Sequence, residues 1–308
     1  MEDTHVALIG AAVAEAAATT GGAIRPITEL NLAAWQNIVP FRDGWGIPTT
    51  NLIRAYVRWH RSVPPATAIT ANVSTFAVLE RVVEGTDHRA PISHDSYECY
   101  KEWLLTVHGT ATSNGAIVRI PALATWASIV HSEFPLDQSI AEVDTMLTHP
   151  SELCLEASKV YARALTLLLM KVDPETVVDV LTDFVAETIQ SEEVRRWFLE
   201  DSARPAEDIH CTEDPGHVRH AFVLAMYFLR NLDISYEEAI QITLEKRGDV
   251  AANAAVVGAL VACYQPVPAF AVEELAAVNS SSGRPKEYLA AALIDKSIYK
   301  YIANEYRW

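Results

Sequence analysis

The sequence predicts an all-α fold, a single large domain spanning residues 1–308, and three observations predict it. Apolar residues recur at three- and four-residue spacing in segment after segment, the period of a helix with one buried face. Helix-start chemistry stands at the head of several of those segments. Glycine is scarce, at 12 residues, and regular Asn-Gly or Asp-Gly hairpin signals are missing, so strands joined by tight turns are not expected.

In chain order, residues 5–18 are alanine-rich and small or apolar nearly all round, which suits a closely packed interior helix. Asn51 to Arg61 carries Leu52, Ile53, Tyr56, Val57 and Trp59 at helical spacing. Leu153, Ala157, Val160, Tyr161, Ala164, Leu165 and Leu168 form one buried stripe. Asp173 and Pro174 open the next helix, because the carboxylate caps free N–H groups and proline suits the first turn. Ser235 and Glu238 make a capping box ahead of Ala239, Ile240 and Ile242. Asp249 to Tyr264 is apolar over most of its circumference and belongs in the core, and the last periodic segment is 286–303. Loops fall at Gly21-Gly22, at Val63 to Pro65, over 84–96 and at Asn279 to Gly283. The polar, acidic run 201–216 reads as a surface loop or a lid. No shift of composition divides the chain and no repeat of 20–50 residues emerges, so a dozen or so helices in one domain are expected.

Charge and composition narrow the function classes. Lys and Arg number 24 against 40 Asp and Glu, a net charge of −16, which argues against sequence-independent nucleic-acid binding and against an anionic membrane surface. No apolar run approaches the ~18 residues of a membrane span. The N-terminus is acidic where a secretion signal is basic. Cys99, Cys154, Cys211 and Cys263 are far apart and read as mostly buried free thiols. A cytoplasmic protein with neither nucleic-acid nor membrane partners is expected.

Several motifs carry possible chemistry. In the run from Thr112 to Leu123, Asn114-Gly115 favours a turn, and a turn leading into a helix leaves N–H groups free to face a phosphate. Arg119 adds a forked cation there, or else is a structural arginine beside an ordinary turn. In the run from Lys246 to Leu260, Asp249 is a helix cap that, with Asn253 one turn on, faces a pocket or serves as a plain cap. His149, after Thr148 and before Pro150, lines a site or occupies a turn. His210, Cys211, His217 and His220 invite a zinc reading, but their spacing matches no standard site and no metal is expected there. The acidic pairs Glu192-Glu193, Glu237-Glu238 and Glu273-Glu274 read as solvated helix starts. Nucleophile-elbow, Walker and zincin patterns are missing.

Taken in order, these stretches resemble the ADP-ribosylglycohydrolase family. Gly10 to Ala18 is similar to its opening GAxxGDALG helix, and Ser113 to Leu123 is similar to its GNGAxMRIAPL loop. Thr148 to Ala162 resembles its THxxP helix, and Gly216 to Tyr264 resembles its long segment through FEEAI and GGDTDT to GALAGAYYG. The resemblance implies an all-α orthogonal helical domain with a central cleft. There a magnesium pair helps bind ADP-ribose and cleave its C1″ glycosidic bond. Two carboxylate clusters would hold those ions. The first, T/S-D-D-T, falls on Ile47, Pro48, Thr49 and Thr50, without an acid; in the second Asp249 remains while Ala251 and Ala252 replace an acid and a threonine. Glu15 stands where the first helix has Asp. Mg²⁺ wants hard oxygen ligands, and Asp249 with Glu15 and two hydroxyls supplies too little negative charge for two dications.

The resemblance therefore implies a cleft without metal or other cofactor. Asp249 and Glu15 are its catalytic candidates. Thr49, Thr50, Asn114, Gly115, Ala116, Arg119, His149 and Asn253 are its substrate-binding candidates. The expected function is binding of an ADP-ribose-like or nucleotide-derived ligand, with metal-independent cleavage or transformation of its glycosidic bond. The alternatives are a pseudoenzyme that reads ADP-ribose or an ADP-ribosylated protein, and a structural protein that keeps only the scaffold.

Overall fold

A computed structural model describes residues 6–18, 26–38, 49–62, 73–83, 92–129, 136–269 and 271–273. Among them the regular structure is helical, as the periodicity predicts: thirteen α-helices, three 3-10 turns and one isolated antiparallel bridge between Ser113 and His217. The segments expected at 21–22, 63–65, 279–283 and 286–303 lie outside the described residues. No helix among the described residues is long and apolar enough to cross a membrane.

The centre of the fold is the contact between α1 (Val6–Ala17) and the last helix of the series, Val250–Val261. Both are apolar over most of their circumference, and their backbones touch. A Cβ added at Gly10 would lie 2.2 Å from the Gly258 carbonyl oxygen and 2.4 Å from the Ala262 Cβ; one added at Gly258 would lie 2.4 Å from the Ala14 Cβ. Gly10 thus faces Gly258 and Ala262, while Gly258 faces Gly10 and Ala14. The two helices run antiparallel, which sets the C-terminal end of α1 beside the end that carries Asp249 and Asn253. Tyr236 Oη locks the crossing by donating to the Gly10 carbonyl at 2.7 Å.

The second layer begins with α2 (Pro26–Ile38), whose first-turn N–H groups at Ile27 and Thr28 donate to the buried Glu15 carboxylate at 3.1 and 2.8 Å. Asn31 joins α2 to the following layer. It donates to the Val118 carbonyl at 2.7 Å and accepts from Ala122 N at 3.2 Å. Next come α3 (Thr49–Ser62), α4 (Val73–Val83), α5 (His94–His108), α6 (Ile120–Ile129) and α7 (Leu136–Met146). The stripe expected from Leu153 to Leu168 lies on α8 (Glu152–Leu169), and Tyr161 on it donates to the Val256 carbonyl at 2.7 Å. Then follow α9 (Pro174–Thr188), α10 (Glu192–Leu199), α11 (Val218–Arg230), α12 (Tyr236–Glu245) and α13 (Val250–Val261).

The caps follow the sequence chemistry. Asp173 accepts from Thr176 N, and Ser235 with Glu238 closes a capping box. One cap is long-range: Glu156 on α8 accepts from Gln190 N and Ser191 N and so seats α10. The loop expected over 84–96 ends earlier, since Ser93 already caps α5 by accepting from Ser96 N. The run 201–216 contains two short 3-10 turns and is moored along its length. Arg219 reaches Asp201 at 2.7 Å, Arg230 reaches Ser202 at 3.1 Å, Lys246 donates to the Ala206 carbonyl, and Ile209 and Cys211 are buried. All four cysteines are free; Cys154 and Cys211 are buried, but Cys99 is exposed.

The α1–α13 crossing predicts a sharp contrast between two glycines. Gly258→Ala forces the helices apart and lowers unfolding stability by about 1–3 kcal/mol. Gly216→Ala, where nothing lies within 4 Å of the added carbon, changes it by less than about 0.5 kcal/mol in the same urea titration.

Candidate functional site

Three chain segments distant in sequence converge on the start of α13. Asn114 N donates to the Gly216 carbonyl and Val218 N to the Thr112 carbonyl, both at 2.8 Å, which pairs the Asn114-Gly115 turn with the strand-like stretch before α11. Asp249 N donates to the Pro215 carbonyl at 3.1 Å, and Asn114 Nδ2 donates to Asp249 Oδ2 at 3.1 Å. The chain reaches this point through Arg247 and Gly248, which have φ of 62° and 72°. Gly248 is required: a Cβ there would sit 2.1 Å from the Cys211 carbonyl oxygen. Asp249 then caps α13 by accepting from Ala252 N at 3.3 Å, and its side chain is half-buried. One turn on, Asn253 has 0% exposure, and neither its Oδ1 nor its Nδ2 has a hydrogen-bond partner.

A buried polar chain lies behind this junction. The Arg119 guanidinium, with 0% exposure, donates from Nε to Asp144 Oδ2 at 2.9 Å. Its other two nitrogens donate to the Gly115 carbonyl, the Asp144 carbonyl and Thr148 Oγ1 at 2.8–3.0 Å. Burial opposes its charge, but Asp144 and Tyr56 beside it outweigh that and hold its pKa above the ordinary arginine value. Tyr56 donates to the other Asp144 oxygen and lies under the guanidinium, 5.1 Å from ring centre to Cζ. Thr148 Oγ1 is 2.7 Å from His149 Nδ1, and His149 Nε2 is 2.7 Å from the Ser113 hydroxyl. Burial, reinforced by the Arg119 charge, pushes the His149 pKa down to about 3, so the ring is neutral.

Several site expectations change against this geometry. Of the two roles open to Arg119, the structural one fits: it has no exposed surface and its nitrogens are engaged with protein oxygens, so it braces the 113–119 turn and the end of α7. His149 is equally buried and meets Ser113 rather than open space. Ala116 is buried, and its carbonyl accepts from Arg119 N at 3.0 Å. Both Glu15 oxygens are engaged, with Thr28 Oγ1 adding a third donor at 2.6 Å, so the acid-base role expected for Glu15 has no open oxygen to serve it. Burial outweighs those three bonds and raises its pKa to about 7. Thr49 and Thr50 begin α3, half-exposed, and Thr50 Oγ1 accepts from Ile92 N at 3.4 Å, toward α5. Asn114, Gly115 and Asp249 are brought together at the start of α13.

Sequence reasoning missed Ser113, Tyr56, Asp144 and Thr148. Asp144 had a signal, since it is an acid on the otherwise apolar stripe Ile140, Ala141, Leu147. Ser113 had none, being one polar residue in a polar turn.

A pair of hard dications is held by clustered oxygen ligands, carboxylates above all. Asp249 is followed by Val250, Ala251 and Ala252, and its oxygens already accept from Asn114 and Ala252. Among the described residues no three His, Cys, Asp or Glu side chains come together as a metal-binding group. The His217 and His220 rings are engaged with backbone: His217 Nδ1 accepts from Arg219 N, and His220 Nε2 donates to the Glu213 carbonyl at 2.7 Å.

Residues 5–302 match the family model of ADP-ribosylglycohydrolase. A solved structure described as an ADP-ribosylglycohydrolase-related protein complex is similar in fold, with a TM-score of 0.64 and 19% sequence identity over 90% of this chain and 95% of that one. No curated protein matches the sequence.

Two outcomes follow from the buried charges. Arg119→Met leaves Asp144 buried and unpaired and costs about 3–5 kcal/mol in urea unfolding; Arg119→Met with Asp144→Leu is more stable than Arg119→Met alone. Glu15 holds its proton in the folded state up to about pH 7 but only to about 4.5 when unfolded. Its contribution to stability therefore falls as pH rises from 4.5 to 7. In paired unfolding titrations Glu15→Gln removes that downward component.

Proposed function

Because the chain belongs to the ADP-ribosylglycohydrolase family, we propose that it binds an ADP-ribose-like ligand where the Asn114-Gly115 turn, the Pro215–Val218 stretch and the start of α13 meet, and that it holds the ligand without hydrolysing it. The observation that carries this is Asn253. A buried amide with both ends unmet costs roughly 1–3 kcal/mol, and native chains satisfy nearly all such groups. A ligand that supplies both a donor and an acceptor explains why this one is kept. The α13 N-terminus beside it favours anionic oxygens, and the half-exposed Asp249 carboxylate is suited to accept from a ribose hydroxyl.

Holding is favoured over cleavage by the carboxylate count. Glycosidic hydrolysis normally needs two carboxyl groups flanking the bond, roughly 5–9.5 Å apart. Of the two expected here, Glu15 is sealed against α2, which leaves Asp249. The ligand is ADP-ribose itself or the same group displayed on a modified protein. A second reading, slow metal-independent cleavage with Asp249 as the acid-base group, is favoured by the partial exposure of that carboxylate.

Calorimetry with ADP-ribose tests the reading. Binding that EDTA leaves unchanged is expected, and no binding contradicts it. Asn253→Leu removes the unmet amide, so it raises the melting temperature while abolishing binding. An ADP-ribosylated peptide incubated with the protein stays intact by chromatography. Release that disappears in Asp249→Asn would establish the second reading instead.

A further inference from the structure

The buried polar chain has a direction, fixed by one hydroxyl. Thr148 has 0% exposure, and its Oγ1 has two hydrogen-bonding neighbours, Arg119 Nη2 at 2.9 Å and His149 Nδ1 at 2.7 Å. Arginine has no acceptor to offer. The Thr148 proton is satisfied only by donation to His149 Nδ1. A neutral imidazole that accepts at Nδ1 carries its proton on Nε2, so His149 donates to the Ser113 hydroxyl oxygen 2.7 Å away. Ser113 is then left with its own proton free, and Ser113 is exposed. Donation runs one way, from Arg119 through Thr148 and His149 to Ser113, and such chains polarise and strengthen each bond along them.

We propose that Ser113 is a fixed hydrogen-bond donor to an anionic oxygen of the ligand, a diphosphate oxygen in ADP-ribose, and that the buried Arg119 acts on the ligand only through this relay. The inference rests on the ADP-ribose reading given above. The backbone of Ser113 is set for the role. It pairs with His217 across the isolated bridge, its carbonyl accepts from Cys154 Sγ at 3.5 Å, and the next residue, Asn114, is bonded to Asp249.

Two measurements on the full chain test the proposal. In ¹⁵N-histidine NMR, with the His149 signals assigned by their loss in His149→Gln, the ring is protonated on Nε2 and bare at Nδ1. A proton on Nδ1 would reverse the relay and overturn the proposal. By calorimetry, Ser113→Ala weakens ADP-ribose binding about tenfold. It weakens ADP, which keeps the diphosphate, by the same factor, and Ser113→Thr restores both. Ser113→Ala also leaves the buried His149 Nε2–H without its acceptor, so its melting temperature falls by a few degrees, and Ser113→Thr restores that too. Unchanged affinity in Ser113→Ala, with wild type binding normally, sinks the Ser113 contact and leaves the ADP-ribose reading standing. A wild-type protein that binds neither ADP-ribose nor ADP sinks that reading, and the Ser113 contact with it.

Discussion

The buried pair of Arg119 and Asp144 organises the site. Neither side chain has exposed surface. Two ions in such a place are held only if their remaining bonding capacity is met, and the surrounding chain is arranged to meet it. The Gly115 carbonyl, the Asp144 carbonyl, Thr148 and Tyr56 each supply one partner. Those partners lie on the 113–119 turn, the end of α7 and the middle of α3. One guanidinium therefore fixes the relative position of three segments and, through the turn, the position of Asn114 against Asp249.

The other constraint is steric. Gly10 and Gly258 let α1 and α13 approach until their backbones touch, and the antiparallel crossing sets the end of α1 beside the start of α13. Asn253, near the start of α13, is wholly buried, and its amide is shut from water as well as from protein partners. Stability and site are in tension at this residue: an apolar side chain would fit the helix better, and the amide is retained at a cost. Such tension is characteristic of functional positions.

Much of the fold was legible in the sequence because helical period and cap chemistry are local. Asp173-Pro174, the Ser235 and Glu238 box and the apolar run after Asp249 all stand where the residues predict them. The site was less legible because its bonds are long-range. Asn114 and Asp249 are joined across 135 positions, and Arg119 meets Asp144 across 25. A conspicuous arginine in a phosphate-like turn reads as a ligand group, and only its burial distinguishes a brace from a grip. Glu15 is a catalytic candidate only by its place in the resembled first helix, while the free N–H groups of α2 that absorb it lie twelve and thirteen residues away. The inconspicuous Ser113 is where the buried chain reaches the surface.

The central claim is that a nucleotide-derived ligand completes the amide of Asn253 in a junction with too few carboxylates for a cation pair. A crystal structure of the protein soaked with ADP-ribose in the presence of magnesium tests it most directly. The account predicts ligand density with oxygens in hydrogen-bonding reach of Asn253 and Asp249 and no metal between them. Two fully coordinated cations at Asp249, or an Asn253 amide left unmet beside a ligand bound elsewhere, would contradict it.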